Sequence, residues 1–187
     1  MPPAGDVGMD ALKHLIELLP PPVHPLEVPT SDDWSQTESG LASLPSNYRQ
    51  FIEKYGTGLI DEFIWIFNPS TTNKYVNLYS QVNAVLASLA DSAKQFPDVF
   101  AMPLHPEPGG FLPFGSTNNG DNLFWVTKGS SDEWTVAVMG PRSPDVYRYD
   151  VGMVEFLRKV LSGEIQCKAF PDDFPADAPL EFASRVH

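Results

Sequence analysis

The feature that most constrains the fold of this chain is a strand–turn–strand pattern at residues 111–127, which read FLPFGSTNNGDNLFWVT. Two apolar arms flank a polar run, and Asn119-Gly120 within that run supplies residues that tolerate positive φ. The pattern predicts a β-hairpin in which Gly120 gives backbone freedom and Asp121 hydrogen-bonds local amides. On this interpretation Gly120→Val costs stability, whereas Asp121→Ala leaves the fold intact.

Other segments also have the composition of strands. Residues 62–69 read EFIWIFNP, and their aromatic and branched side chains predict a buried strand from about Phe63 to Phe67. After the hairpin, EWTVAVMG and VYRYD follow the turns KGSSD and PRSPD, and they predict a third and a short fourth strand of a meander. These segments together predict a mostly antiparallel sheet of about four to six strands.

Four segments carry apolar residues at spacings of three and four, the signature of helices with one buried face. They lie at about residues 10–19, 46–55, 75–96 and 151–162, and Phe96 belongs to the core-facing set of the third. The expected helix boundaries are Asp10, Ser46 and Asp150 as N-terminal caps and Gly56 and Gly163 as stops. Helices, clustered strands and a closing helix predict an α+β domain with helices packed on one face of the sheet.

Proline-rich, acidic segments flank these elements. Residues 20–39 contain five prolines and predict an extended connection, while residues 169–187 are rich in Pro and Asp and predict a surface tail that frays. We therefore divide the chain into a helix with a Pro-rich acidic extension (1–40), a central domain (41–168) and an acidic Pro-rich tail (169–187).

The charge of the chain is uneven. The formal net charge is −12, and residues 1–40 hold seven acids against Lys13 alone, whereas residues 169–187 hold four acids against Arg185. This distribution argues against a nucleic-acid groove and favours attraction for a basic partner near the two ends. An equally good interpretation is that the acidic ends keep the chain soluble.

No catalytic constellation is present in the sequence. The chain lacks G-x-S-x-G, a P-loop and G-x-G-x-x-G, and its histidines have no partner at i+3 or i+4, so we expect no metal site and no cofactor. The adjacent carboxylates Asp61-Glu62 and Asp132-Glu133 are poorly placed to share a substrate and are expected on a solvated surface. Three tryptophans lie within or beside strands, where core packing is the expected role: Trp65, Trp125 and Trp134.

The sequence also bears on location. No apolar run approaches the roughly 20 residues of a spanning helix, and the first residues, MPPAGDVGMDALKHL, lack a basic region followed by an apolar one. We expect a cytoplasmic protein that does not contact membranes. The single cysteine, Cys167, is expected to be a structural thiol.

Three segments in this order resemble the SUKH superfamily. LPSNYRQFIEKYGTG is similar to the helix that opens its domain, FLPFGSTNNGDNLFWVT resembles its central hairpin, and VYRYDVGMVEFLRKVLSG resembles its last strand and closing helix, with Phe156-Leu157 at the Phe-Leu position. The resemblance covers about residues 41–163. It implies an α+β, SUKH-like fold without catalytic residues.

The resemblance also implies a function. Bacterial members are immunity proteins that bind polymorphic toxins, many of them nucleases, and fungal members are regulatory scaffolds in cell-wall signalling. We expect a non-catalytic domain that binds a basic toxin domain, with a regulatory or scaffold module as the alternative and an enzyme third. The acidic candidates for partner contact come from turns and element ends: Asp61, Glu62, Asp121, Asp132, Glu133, Asp145 and Asp150.

Overall fold

The computed structural model of the chain describes residues 4–141, 143–177 and 179–186. The helices are α1 (Ala4–Leu18), α2 (Ser31–Gly40), α3 (Ser46–Tyr55), α4 (Leu78–Gln95) and α5 (Met153–Leu161), and a 3₁₀ turn spans Ser131–Glu133. The strands are β1 (Gly58–Ile60), β2 (Ile64–Ile66), β3 (Phe111–Thr117), β4 (Asn122–Val126), β5 (Thr135–Met139), β6 (Val146–Tyr149) and β7 (Phe182–Ser184). The predicted α+β class is confirmed.

The described strands form one antiparallel sheet in the order β6-β5-β4-β3-β2-β1-β7. Strands β1 to β6 follow one another as a meander, and β7 returns to pair with the free edge of β1. The predicted hairpin is β3–β4, and its register shifts between Pro113 and Gly115. The described part of the chain has seven strands rather than four to six, because β1 (GLI) and β7 (FAS) are three-residue segments without the run of aromatic and branched residues that indicated β2.

Alternating side chains divide the core between the two faces of the sheet. Leu123 and Trp125 of β4 belong to the main hydrophobic cluster, to which α1, α3, α5 and the first half of α4 contribute. Phe124 and Val126 point the other way, into a smaller cluster that includes Leu89 of α4. Thus α4 extends over part of the second face, and the prediction of helices on one face holds for the other helices only.

The helix starts differ from the predicted caps. Helix α1 begins at Ala4, so Asp10 lies inside it. The N-cap of α3 is Pro45 rather than Ser46, and that of α5 is Gly152 rather than Asp150. Neither of these caps has a capping side chain of its own. The predicted stops agree with the structure: Gly56 and Gly163 have φ of 66° and 77°.

The proline-rich connection is not extended throughout, because α2 interrupts it. A capping box between Thr30 and Asp33 starts this helix, and burial of Trp34, which is 4% exposed, attaches it to the core. The Trp34 ring lies edge-on to Tyr48 with centroids 6.1 Å apart, and the Arg49 guanidinium lies over it at 5.0 Å. Sequence periodicity missed α2 because a single aromatic residue anchors it.

The acidic tail was also predicted wrongly. Phe170 and Phe182 are buried within the main cluster, and β7 extends the sheet. Isolated aromatic residues among Pro and Asp give no periodic pattern, so the tail resembled a frayed surface segment in the sequence.

Candidate binding surface

The meander places its turns at two ends of the sheet. One end, here called the hairpin end, carries the β1–β2 turn at 61–62, the β3–β4 turn at 118–121 and the β5–β6 connection, of which residues 140–141 and 143–145 are described. The opposite end carries the β4–β5 loop and the entry to α5. Antiparallel order fixes this separation, because every second turn must lie at the same end.

The seven acidic candidates therefore do not form one surface. The hairpin end holds Asp61, Glu62, Asp121 and Asp145, and the opposite end holds Asp132, Glu133 and Asp150.

At the hairpin end, Asp61 and Glu62 are engaged within the molecule. Both have left-handed backbone conformations, with φ of 47° and 54°, and the Phe63 amide donates to the Ile60 carbonyl at 2.9 Å to close the turn. The Asp61 carboxylate accepts a hydrogen bond from the Ala176 amide at 2.8 Å. Glu62 forms an exposed ion pair with Arg185 at 2.7 Å.

Asp121 is not a surface charge, since it is 2% exposed. Its carboxylate accepts a hydrogen bond from the Thr117 hydroxyl, and the Asp121 amide donates to the same hydroxyl at 3.2 Å. Burial raises the pKa of this carboxyl above its ordinary value, although the Thr117 hydrogen bond opposes the shift. The structure therefore argues against the expectation that Asp121→Ala leaves the fold intact, because the substitution would leave the buried Thr117 hydroxyl without its acceptor.

Three of the four remaining acids accept hydrogen bonds within the molecule, and the fourth, Asp150, is exposed. Asp132 accepts a hydrogen bond from the Ser46 amide at 2.7 Å and so caps α3 from a distant loop. Glu133 accepts from the amide and hydroxyl of Ser130, and these hydrogen bonds lower the pKa of its carboxyl. Asp145 accepts from the Ser143 hydroxyl at 2.7 Å, while Asp150 is exposed at the entry to α5.

A surface groove that sequence reasoning missed lies at the hairpin end on the face covered by α4. Its volume is about 570 Å³, and its lining comes from α4, residues 96–100 and the β5–β6 connection. Its walls are largely apolar, with Val85, Leu89, Phe100, Met139, Pro141 and Pro144 among the contributors. We call it the α4 groove.

Phe96 and Val99 give the α4 groove exposed apolar side chains. They are 57% and 48% exposed, so the prediction that Phe96 faces the core was wrong. Phe96 continues the periodicity of α4 but follows its last residue, Gln95, where the chain leaves the helical path. Large side chains held in the open beside an apolar groove are typical of a docking site.

Several charged residues are neighbours in sequence of the residues that line the α4 groove. Asp91 and Lys94 form an exposed pair at 3.0 Å, and Asp98 and Asp145 are exposed nearby in sequence to its lining residues. Arg142, in the same connection, lies outside the described residues. The largely apolar lining of the groove is thus accompanied in sequence by exposed charges, and protein interfaces combine an apolar centre with a polar rim.

A second, more polar pocket lies on the other side of the β5–β6 connection. It has a volume of about 510 Å³, and Asn119, Asp121, Tyr147 and Lys168 contribute to its lining. Gly140, Pro141 and Ser143 line both this pocket and the α4 groove. The connection therefore separates two concave surfaces at one end of the sheet.

Two properties of the described residues bear on other functions. They contain no group of three or more His, Cys, Asp or Glu side chains that could hold a metal ion. None of the helices described here is long and apolar enough to cross a membrane. Cys167 is 4% exposed, and burial raises the pKa of its thiol, which keeps it in the unreactive protonated form.

Comparison with protein families gives one match. A family model described as SMI1-KNR4 cell-wall matches residues 32–157, about two thirds of the chain. Neither the curated proteins nor the solved structures give a significant match. The matched region begins within α2 and ends within α5, so it contains six of the described strands and the whole of the α4 groove.

Proposed function

This chain belongs to the SUKH superfamily, and we propose that it is a non-catalytic protein-binding domain. In this proposal it acts as an immunity protein that neutralises a basic toxin domain, such as a nuclease, by covering the active surface of the toxin. The α4 groove, with Phe96 and Val99 exposed at its margin, is the observation that carries the proposal. It lies inside the region matched by the family model. The proposal includes a cytoplasmic location, where the toxin would act.

Burial of apolar side chains would supply most of the affinity. Phe96 and Val99 keep about half of their surface exposed in the isolated chain, so a partner that covers them removes apolar area from water. Side chains in the centre of an interface usually dominate binding energy, while the margin contributes little. The partner is therefore expected to present an apolar ridge or helix to the groove.

Electrostatic attraction would supply speed and selectivity. The chain carries a net charge of −12, and Asp98 and Asp145 are exposed close to the groove. A basic partner would be steered toward this end, and the association rate would fall as salt screens the charges. Asp61, Glu62, Asp132 and Glu133 are engaged within the molecule, so they contribute to the overall field rather than to specific contacts.

A regulatory or scaffold module is the second candidate. The description of the matching family model refers to the cell wall, which favours this alternative in one respect. An apolar docking module would use the same groove but would depend less on salt. The partner recovered from cells distinguishes the two candidates.

The test captures the partner from extract of the native host with the tagged chain, at low and then high salt. Three proteins are compared: wild type, the double variant F96D/V99D in the α4 groove, and Tyr75→Asp as a control. Tyr75 is 69% exposed and lies outside the groove. We expect wild type and the control to retain a stoichiometric basic protein with a toxic domain, and the double variant to lose it.

Two other results would contradict the proposal. Recovery of cell-wall or signalling proteins in place of a toxin would support the scaffold alternative. Equal retention of the toxic partner by F96D/V99D and wild type would show that another surface binds it. Unchanged melting temperatures of all three proteins are the control for folding.

A further inference from the structure

The segment formed by residues 170–177 and 179–186, here called the strap, lies beyond the region matched by the family model. We infer that the strap is a conformational device: it closes the β1 edge of the sheet, opens separately from the core, and while docked holds the β3–β4 turn in place. This inference concerns the chain alone and does not depend on the identity of a partner.

The first anchor of the strap is Phe182 in β7. Backbone pairing sets Phe182 opposite Ile60 and Ser184 opposite Gly58, which closes an edge that would otherwise be open to another strand. The Phe182 ring lies 5.1 Å from the ring of Tyr55 and directly against Gly58. Gly58 provides the space for this ring because it lacks a side chain.

The second anchor is aromatic as well. Phe170 and Phe174 pack against Phe63, with ring centroids 5.3 Å and 4.6 Å from it. Phe63 follows the β1–β2 turn directly, so the strap contacts the sheet on both sides of that turn. Burial of these rings is the main favourable contribution to docking.

Polar contacts fix the turn between the two anchors. The Asp61 amide donates to the Glu181 carbonyl at 2.7 Å, and the Asp61 carboxylate accepts from the Ala176 amide at 2.8 Å. The Arg185–Glu62 pair is 2.7 Å long, but both side chains are about half exposed, so it contributes little. The strap thus contacts both residues of the turn.

The turn itself is in an unfavourable conformation for its sequence. Asp61 and Glu62 have φ of 47° and 54°, a region that aspartate tolerates but that is uncommon for glutamate. Such a conformation persists where surrounding contacts impose it. The strap provides several of those contacts, so its departure would let the turn relax.

A relaxed turn would affect the hairpin end through Asn118. The Asn118 side-chain amide donates to the Glu62 carbonyl at 2.7 Å, and the Asn118 backbone amide donates to the Phe63 carbonyl at 2.9 Å. The Trp65 indole in turn donates to the Asn118 side-chain oxygen at 3.0 Å. Asn118 is the first residue of the β3–β4 turn, so the strap and this turn share one hydrogen-bonded link.

Separate opening follows from the position of the strap at the edge. Strand β7 has three residues and one neighbour, and most of the described residues from 171 to 181 are at least partly exposed. By contrast, β4 and β5 are paired on both sides and nearly all buried. Edge segments with few buried contacts open at lower free energy than the centre of a sheet.

The test is hydrogen–deuterium exchange on the full chain, comparing wild type with Phe182→Ala and with Tyr75→Ala as a control on the exposed surface. We expect Phe182→Ala to raise exchange at least about tenfold in three places, the strap, residues 58–63 and residues 118–120, because a buried ring is lost. In wild type these three places should already exchange through openings of lower free energy than β4 and β5 require, and the control should match wild type throughout.

Two outcomes would overturn the inference. Equal free energies of opening for the strap and for β4 and β5 in wild type would show that the strap unfolds only with the core, and an increase in Phe182→Ala confined to the strap would show no link to the β3–β4 turn. If Phe182→Ala fails to fold, Phe182→Leu serves instead, since it keeps an apolar side chain against Gly58 but removes the ring. It should give the same pattern at about twofold to fivefold, in line with the smaller cost of exchanging one apolar side chain for another, and no change would count against the device.

Discussion

The aromatic ring of Phe182 occupies the space that a side chain at Gly58 would need. An ideal Cβ at position 58 would lie 2.5 Å from Cε1 of Phe182 and 2.6 Å from the carbonyl oxygen of Ala183. The two positions are therefore matched across the β1–β7 pair, and the strap is built into the sheet rather than lying loosely on it.

Gly58→Ala should destabilise the protein, because the new methyl group must displace both the Phe182 ring and the strap backbone. We expect a loss of about 1–3 kcal/mol, the usual range for overpacking, measured by thermal or denaturant unfolding. Gly40→Ala is the matched control, since its Cβ would meet only the Tyr79 side chain, with the nearest atom a ring carbon at 3.6 Å, an ordinary contact. Equal stability of Gly58→Ala and wild type would mean that the strap does not pack as described.

Asp132→Ala should lower stability by removing the cap of α3. The Ser46 amide would lose its acceptor, and Pro45 offers no side-chain replacement, so a loss of about 1 kcal/mol is expected. Asp132→Asn should retain most of the stability because its amide oxygen still accepts. The control is Asp150→Ala, which removes an exposed carboxylate that caps no helix and should change the melting temperature very little. A larger loss of stability in Asp150→Ala than in Asp132→Ala would show that Asp132 does not cap α3.

Asp121→Asn should stabilise the protein at neutral pH. Burial raises the pKa of the Asp121 carboxyl above its ordinary value of 3.8. At a pH between the ordinary pKa and the raised pKa, the folded state therefore binds more protons than the unfolded chain. Stability therefore falls as pH rises through that window and remains lower above it. Asparagine does not titrate and keeps an acceptor for the Thr117 hydroxyl.

The measurement for Asp121→Asn is denaturant unfolding of both proteins across that pH range. The stability gain of the variant should be largest at neutral pH and should shrink as pH falls below the ordinary pKa. Asp121→Ala separates the loss of charge from the loss of the acceptor and should be less stable than Asp121→Asn at every pH. A gain that is independent of pH would rule out titration of Asp121 as its cause.

Glu164→Gln should change stability in the opposite direction. Hydrogen bonding to Arg158 lowers the pKa of the Glu164 carboxyl from 4.5 to about 2. The same guanidinium also donates to both carboxylate oxygens of Glu155 at 2.9 Å. The stabilisation is present above pH 4.5 and is lost as pH falls toward 2. The variant should be less stable than wild type at neutral pH, and the two unfolding curves should converge in acid.

The control for Glu164→Gln is Asp150→Asn, which neutralises an exposed carboxylate away from Arg158. It should leave the wild-type dependence on acid intact. A constant difference between Glu164→Gln and wild type from neutral to acidic pH would indicate a packing effect rather than the Arg158 interaction.

Much of the fold could be predicted from the sequence because local patterns carried it. The β3–β4 hairpin has Gly120 at φ of 90°, as the Asn-Gly turn indicated, and α5 buries the Phe156-Leu157 pair through its apolar face. Strands β5 and β6 follow at the predicted turns. In each case a periodic apolar face and a turn residue agree with each other.

The parts that could not be predicted depend on distant contacts. Helix α2 is held by Trp34, β7 by its match to Gly58, and the start of α3 by Asp132, which lies 86 residues away in sequence. None of these produces a local pattern. The α4 groove was missed for a related reason, since Phe96 continues the apolar period of α4 and only the end of the helix at Gln95 leaves it exposed.

The most direct test of the central claim is a titration of the captured partner's toxic activity with the purified chain, using wild type, F96D/V99D and Tyr75→Asp at low and high salt. We predict that wild type and Tyr75→Asp abolish the activity at one equivalent and lose association rate as salt rises, whereas F96D/V99D binds at least about tenfold more weakly. Full inhibition by F96D/V99D would exclude the α4 groove as the binding surface. Binding of the partner by wild type without inhibition would contradict the immunity function itself.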